Sequence, residues 1–287
     1  MNLPFHKNID DVELSIFDTE TTGLEPESGD RIVEIAGIRF RGKERLAAFQ
    51  ALVNPGRPIS SAAFEVNKIT PDMLEGAPGI EEVMPKFLDF IQGSCLCSYN
   101  AGFDLGFLNN EISLMSFRTG TLGGSGKNIL KDTIVVDILK MARRIMPGLS
   151  RYALWFVAGA LGIKTEQKHR AFSDVELTLE VFNRLKEKLQ TKGVSDFMNF
   201  SGLFALNSEF LDDINNRKIA KIQEAMDLGV KLKIKYLSSS NATVSERDVI
   251  PKEIRQERSR GYLVGYCCLR NEERAFRIDG ILHLEII

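Results

Sequence analysis

Two carboxylate side chains stand two residues apart in the stretch FDTETTGLEP, directly after a short apolar run. Asp18 and Glu20 follow the segment ELSIF, whose composition predicts a buried strand. Because side chains alternate between the two faces of a strand, both carboxylates would project to the same face. Two acids there repel each other unless water or a cation neutralises them. The apolar residues before them favour a bound divalent cation over water.

Two later segments add residues of the same chemistry. Asp104 lies in SYNAGFDLGFLNNE, where it follows a short strand-like run and opens an apolar helical pattern. His169 and Asp174 lie five residues apart in HRAFSDVELTLEVFNRL, at the start of a long helical stripe. Each residue also has a plain structural interpretation, since the helix dipole favours an acid in a first turn and a lone histidine is often a surface residue.

Together these segments resemble the DEDDh family of 3′-to-5′ exonucleases, which includes the proofreading subunit of bacterial replicative DNA polymerase. The three family motifs appear in order as FDTETTGL, YNAGFDLGFL and HRAFSDV. The resemblance covers about residues 10–190 and implies an α/β domain of RNase H-like fold, a mixed sheet flanked by helices. The chain departs from the family at Asn67 and Tyr99, where many relatives carry histidine.

The resemblance also implies roles for the residues of these motifs. Phosphodiester hydrolysis needs an activated water and stabilised attacking and leaving oxygens, which two metal ions about 3.5 to 4 Å apart provide. Two Mg²⁺ or Mn²⁺ ions would be held by the four acids, Asp18, Glu20, Asp104 and Asp174. His169 would take a proton from the attacking water. The predicted substrate contacts are Thr21, Thr22, Gly23, Leu24, Asn100 and Phe103. For Phe103, a core position is the alternative.

The elements that must position these residues alternate between strand-like and helix-like patterns. Strands are predicted over 13–18, 31–40 and 46–53, the three being consecutive and antiparallel, and a further strand over CLCSYN. Helices are predicted over 80–91 and roughly over 104–116, 137–146, 150–161 and 171–190.

A second, smaller β-rich domain is predicted after residue 217, where short strand-like runs alternate with polar turns. It resembles the WYL domain, a module of bacterial regulators thought to sense nucleotides or nucleic acid. Gly261 replaces the tryptophan of the name-giving triplet, and Gly280 stands where relatives often have arginine. Phosphate contacts are predicted for four arginines, Arg247, Arg270, Arg274 and Arg277, with solvated arginines as the alternative.

The predicted organisation is therefore an exonuclease domain over 1–190, a connecting segment over 191–217 and a WYL-like domain over 218–287. The connecting segment contains too many apolar residues for a free linker and is expected to pack on one of its neighbours.

Composition sets further bounds on the function. The 287 residues are 44% hydrophobic, which suffices for one large core or two modest ones. The net charge of −2 divides into 24 basic against 29 acidic residues over 1–217 and 13 against 10 over 218–287. This charge balance does not indicate a large basic patch, but metal ions in an acidic site can still bind a polyanionic substrate.

The chain lacks a leader-like start and an apolar run of about 20 residues, so a cytoplasmic protein without membrane contact is expected. The four cysteines lack C-x-x-C spacing and are expected to be reduced.

The predicted function is a metal-dependent 3′-to-5′ exonuclease that releases nucleoside 5′-monophosphates from DNA, with the WYL-like domain aiding nucleic-acid binding or ligand sensing. An exoribonuclease with the same site is one alternative, because the motifs do not reveal how the 2′-hydroxyl is read. A nucleotide-responsive binding protein with the nuclease fold as scaffold is the other. The predicted partners are nucleic acid and proteins of DNA repair or replication.

Overall fold

A computed structural model describes the chain at residues 4–119, 133–164, 170–206, 208–258 and 260–287. Its ten strands are β1 (Glu13–Thr21), β2 (Ile32–Arg41), β3 (Glu44–Leu52), β4 (Cys95–Ser98), β5 (Val135–Asp137), β6 (Leu232–Leu237), β7 (Val244–Glu257), β8 (Arg260–Cys267), β9 (Glu272–Arg277) and β10 (Ile281–Ile286) in the described ranges. Its helices there are α1 (Ser61–Asn67), α2 (Pro71–Leu74), α3 (Ile80–Ile91), α4 (Ala101–Thr119), α5 (Ile138–Ile145), α6 (Leu154–Ala160), α7 (Ala171–Gln190), α8 (Phe197–Phe204) and α9 (Ser208–Leu228).

The first sheet is mixed and has the order β3-β2-β1-β4-β5. β1 and β3 each run antiparallel to β2, whereas β4 and β5 run parallel to β1. The apolar residues of β1 alternate between the two faces, so Leu14 and Ile16 join the core formed with α5, α6, α7 and α8, and Phe17 joins the core formed with α3 and α4. Helices therefore cover both faces of this sheet.

The second sheet is antiparallel throughout, in the order β10-β6-β7-β8-β9. α9 packs on it through Ile222 and Ala225, which are fully buried. The predicted fold class, a mixed sheet flanked by helices and a second β-rich domain, is confirmed.

The predicted connecting segment is helical and packs on the first sheet's core. Phe197, Phe200 and Phe204 of α8 are fully buried there. α9 begins at Ser208 and runs across the predicted boundary at 217. The four cysteines form no disulfide. In the described part of the chain, every helix is too short or too polar to cross a membrane.

The guanidinium group of Arg144 connects the helix layer of the first sheet to the second sheet. Arg144 of α5 is 8% exposed, and its Nη2 donates a 2.9 Å hydrogen bond to the carbonyl of Leu237 at the end of β6. A Cβ at Gly280 would lie 2.6 Å from the same Nη2 and 2.8 Å from the Tyr236 ring. Because this chain has glycine at position 280, where relatives often have arginine, there is space beside it that the Arg144 guanidinium occupies.

Replacing Gly280 with alanine should destabilise this junction, because the added methyl group overlaps Arg144, the Tyr236 ring and the Leu237 carbonyl. We expect the free energy of unfolding to fall by about 1 to 3 kcal/mol, the usual cost of overpacking. Chemical denaturation measures it. Gly159→Ala is the matched control, since its Cβ would meet nothing within 4 Å in α6. Equal stability of the two variants would contradict the contact.

Candidate active site

Asp18 and Glu20 lie within β1, because the strand continues past the predicted end at residue 18 to Thr21. Pairing with β2 extends along this whole segment, but pairing with β4 covers only Leu14, Ser15 and Ile16. The two carboxylates therefore project beyond the point where the neighbouring parallel strand has ended. Their side of β1 faces the helix layer that contains α7.

The structure brings three of the four predicted acids to one point. Carboxylate oxygens of Asp18, Glu20 and Asp174 all lie within 4.8 Å of one another, with Asp174 supplied by the first turn of α7. Every charged neighbour that shifts the pKa of Asp18 is another carboxylate. Oxygen ligands at this separation suit hard divalent cations such as Mg²⁺ and Mn²⁺. The donor set thus fits the predicted metal ions.

The fourth acid, Asp104, is buried in α4 on the other side of β1. Its Oδ1 accepts hydrogen bonds from the backbone N–H of Thr19 at 3.0 Å and from the Thr19 hydroxyl at 2.7 Å, and its Oδ2 accepts from the Ser98 hydroxyl. Asp104 therefore takes the backbone donor of β1 that a longer β4 would have paired. Its charge contributes to the raised pKa of Asp18.

Burial and mutual repulsion raise the pKa values of these acids. Burial and the carboxylates of Asp174, Glu34 and Asp104 raise the pKa of Glu20 from 4.5 to about 8. Burial and the charge of Asp104, ahead of that of Glu20, raise the pKa of Asp18 well above its usual value. Burial also raises the pKa of Asp104, to about 6, against the opposing hydrogen bonds from Ser98 and Thr19. A bound cation would relieve this repulsion.

The stability of the metal-free protein should consequently fall as the pH rises. The folded pKa of Glu20, about 8, lies above its unfolded value of 4.5, so the folded state binds more protons across that window. The stabilisation is complete below the unfolded pKa and is lost as the pH passes the folded one, at up to about 1.4 kcal/mol per pH unit for one proton.

Urea denaturation in a chelator, repeated with Mn²⁺, measures this slope. Glu20→Gln should flatten the metal-free slope, and Mn²⁺ should restore stability to the wild type at the alkaline end. Identical slopes for the two proteins would show that Glu20 is not the titrating group.

One residue that positions the site escaped the sequence analysis. Glu34 of β2 is fully buried opposite Glu20 and forms an ion pair with Arg170, with its oxygens 2.9 and 3.0 Å from the guanidinium nitrogens. It also accepts the backbone N–H of Ala171 at 3.2 Å. These contacts fix the start of α7, three residues before Asp174. The signal in the sequence is a single acid within the apolar run IVEIAGI.

A cavity of about 540 Å³ lies beside Glu20, which lines it. Of the predicted substrate contacts, it is lined by Thr21, Gly23, Leu24 and Phe103. Leu24 is 78% exposed, which leaves its side chain free to pack on a ligand. Asn67, at one of the two departures, also lines it and donates to the carbonyl of Thr21. The same side of the cavity is also lined by residues in and just before α1 that sequence reasoning missed, namely Ser60, Ala62, Ala63 and Val66.

The two other predicted contacts, Thr22 and Asn100, do not line this cavity. The Thr22 hydroxyl is buried and donates to Asp30 at 3.0 Å. The carboxylate of Asp30 packs against Gly23, where a Cβ would overlap it, and thereby fixes the loop after β1. Asn100 is exposed at the start of α4, with a φ of 69°. His169, the predicted base, lies outside the described residues.

Three of the four arginines predicted to contact phosphate have separate side-chain partners in the structure, and the fourth is exposed. Arg277 lines cavities next to α5 and pairs with Asp279. Arg247 contacts Ser245 and Cys267, Arg274 pairs with Glu272 at 3.1 Å, and Arg270 is exposed between β8 and β9. A ligand role for these four stays a prediction.

Comparisons with known proteins place this geometry in context. Residues 15–182 match the RNase_T family, described as Exonuclease, and residues 217–286 match the WYL domain. A DNA polymerase III PolC-type protein from Clostridium perfringens is 31% identical over 268 residues, which are 92% of this chain and 17% of that protein. A DNA polymerase III subunit epsilon-like protein from Rhodobacter capsulatus is 37% identical over 193 residues, which are 66% of this chain and 26% of that protein. The chain thus spans about a quarter or less of these two relatives.

Solved structures share the fold at low sequence identity. A structure of exonuclease I matches with a TM-score of 0.55 and 16% identity, covering 89% of this chain and 55% of that one. A 3′-exonuclease that recognises the 3′ end of histone mRNA stem-loop matches with a TM-score of 0.52 and 20% identity, covering 63% of this chain and 67% of that one.

Proposed function

The chain belongs to the RNase_T exonuclease family, and we propose that it is a metal-dependent 3′-to-5′ exonuclease that releases nucleoside 5′-monophosphates from DNA. The observation that carries the proposal is the convergence of Asp18, Glu20 and Asp174 beside a cavity with exposed apolar walls. The domain boundaries proposed for it are 1–190, 191–217 and 218–287.

The four acids would hold two Mg²⁺ or Mn²⁺ ions, which supply Lewis-acid stabilisation of the attacking and leaving oxygens when bound. The chain's own residues do the rest. Ser98 and Thr19 orient Asp104 through hydrogen bonds. The ion pair of Glu34 and Arg170 holds the start of α7 and with it Asp174.

The substrate's terminal nucleotide would enter the cavity beside Glu20. Leu24 and Phe103 offer apolar surfaces to its base, although the Phe103 ring also packs on Phe107, with centroids 5.0 Å apart. Thr21 and Gly23 bring polar groups of the loop to the same cavity. His169 would accept the proton of the attacking water.

The test uses matched DNA and RNA oligomers labelled at either end, with Mg²⁺, with Mn²⁺ and with a chelator. We expect a descending ladder from the 5′-labelled DNA, labelled mononucleotide from the 3′-labelled DNA and no products in the chelator. Internal fragments, or hydrolysis that persists in the chelator, would overturn the proposal. If RNA were degraded faster than DNA, RNA would become the proposed substrate, since the two polymers differ at the 2′-hydroxyl.

A further inference from the structure

Two adjoining cavities lie where α5 meets the second sheet, away from the acids of β1. One has a volume of about 360 Å³ and the other of about 490 Å³. Lys140, Arg260 and Arg277 line both, so the two form lobes of one larger space. We call the smaller one the basic lobe and the larger one the amide lobe.

The basic lobe has more positive than negative charge. It is lined by five cationic side chains and one carboxylate, namely Lys140, Arg143, Arg144, Arg260, Arg277 and Asp137. Asp137 is already engaged, since its carboxylate caps α5 by accepting from two backbone N–H groups. Asp279 lies against the guanidinium of Arg277 and 3.9 Å from that of Arg144. In the described ranges, Arg143 and Arg260 have no carboxylate within 4 Å.

One of these cationic side chains, that of Arg144, is buried in the protein interior. Arg144 is more than nine-tenths buried, and its Nε has no hydrogen-bond partner among the described residues. A buried donor without a partner is costly, as is a buried charge without full compensation. Burial also lowers the pKa of Lys140, and the charges of Arg277 and Arg144 act in the same direction. An anion in the basic lobe would compensate the positive charge of Arg144 and Lys140.

The amide lobe has a different chemistry. Three amide side chains line it, those of Asn215 and Asn216 on α9 and of Gln256 on β7, beside the carboxylates of Asp212 and Asp279. Among the described residues, none of these side chains has a hydrogen-bond partner. Gly261 lines the same lobe, and a Cβ there would lie 3.0 Å from Ile278 Cδ1 and 3.4 Å from Gln256 Oε1. The glycine therefore keeps open a space that a larger residue would fill.

We propose that this interdomain space binds a nucleoside phosphate, with the phosphate in the basic lobe and the polar ring of the base in the amide lobe. Amide groups can donate to and accept from a base, and guanidinium groups match the oxygens of a phosphate. Residues of both domains form the site, so a ligand there would couple their positions. The proposal goes beyond hydrolysis, because the site uses none of the catalytic acids.

Isothermal titration calorimetry on the full chain in a chelator tests this. The probes are deoxyadenosine 5′-monophosphate, inorganic phosphate, deoxyadenosine and a 5′-phosphorylated single-stranded oligomer. Without metal ions the clustered carboxylates repel phosphate, so binding there would not mimic the result. We expect the mononucleotide to bind, deoxyadenosine to show no measurable binding and inorganic phosphate to bind more weakly than the nucleotide.

The double variant Arg143→Ala, Arg260→Ala removes two exposed cations of the basic lobe. We expect nucleotide affinity to drop at least about tenfold, since both lost groups would make charge-assisted hydrogen bonds. Arg151→Ala is the matched control, because that arginine is also exposed but lines neither lobe and has no predicted ligand role. Gly261→Trp should fill the amide lobe and weaken binding of the nucleotide while sparing inorganic phosphate.

Thermal unfolding midpoints identify any variant that has lost its fold. Among folded proteins, wild-type affinity in the double variant, or equal binding of deoxyadenosine and its monophosphate, would overturn the proposal. Tighter binding of the oligomer would assign the site to a strand's phosphate, and tighter binding of the mononucleotide to a free nucleotide; each supports the site. Asp18→Asn should bind the nucleotide like the wild type, so loss of hydrolysis and loss of this site are separable.

Discussion

Asp18→Asn should abolish nearly all hydrolysis of a labelled single strand. Asp18 is the acid that Glu20, Asp104 and Asp174 surround, so its loss removes a predicted ligand from the centre of the cluster. Even residues that only support metal ligands cost about 10- to 100-fold when removed, and we expect a larger loss here, above about a hundredfold. Single-turnover rates at saturating Mn²⁺ measure it.

The fold should survive this substitution. Asparagine keeps the shape of the side chain and removes one of the repelling charges, so the metal-free variant should be at least as stable as the wild type at neutral pH. Asp89→Asn is the control, because Asp89 is exposed on α3. A folded Asp18→Asn protein with wild-type turnover would refute the assignment of the acids.

The placement of Asp18 and Glu20 on one face could be predicted from the sequence, since it depends only on the alternation of side chains along a strand. The strand's end could not. β1 continues to Thr21 because β2 pairs with it there, while β4 has already stopped. The end of β1 depends on the lengths of its two partner strands, and the local composition of β1 does not indicate those lengths.

Contacts between segments that are distant in the chain also could not be predicted from the sequence. Glu34 is 136 residues from Arg170 in the chain, and only the sheet topology places it at the start of α7. Arg144 likewise fills the space beside Gly280 only because α5 meets the second sheet. The departure at Gly280 was visible in the sequence, but the arginine that uses the space belongs to another element.

His169→Ala should slow hydrolysis on the order of 10²- to 10⁴-fold, the usual contribution of a general acid or base. The variant keeps all four acids, so Mn²⁺ should still bind with the wild-type stoichiometry in calorimetry. The acid limb of the pH–rate profile should also disappear, since an ordinary histidine base becomes protonated near about pH 6.5. His283→Ala is the control, because His283 is exposed on β10.

The two readouts separate a base from a metal ligand. Loss of Mn²⁺ binding together with loss of turnover would make His169 a ligand, and unchanged turnover would leave the proposed reaction without its base. The acids cannot substitute for it once they hold cations, because a bound cation favours the ionised carboxylate and lowers its pKa well below that of a useful base at neutral pH. Proton acceptance would then come from a group outside the cluster, and we propose His169 of the motif HRAFSDV, five residues before Asp174, for this role.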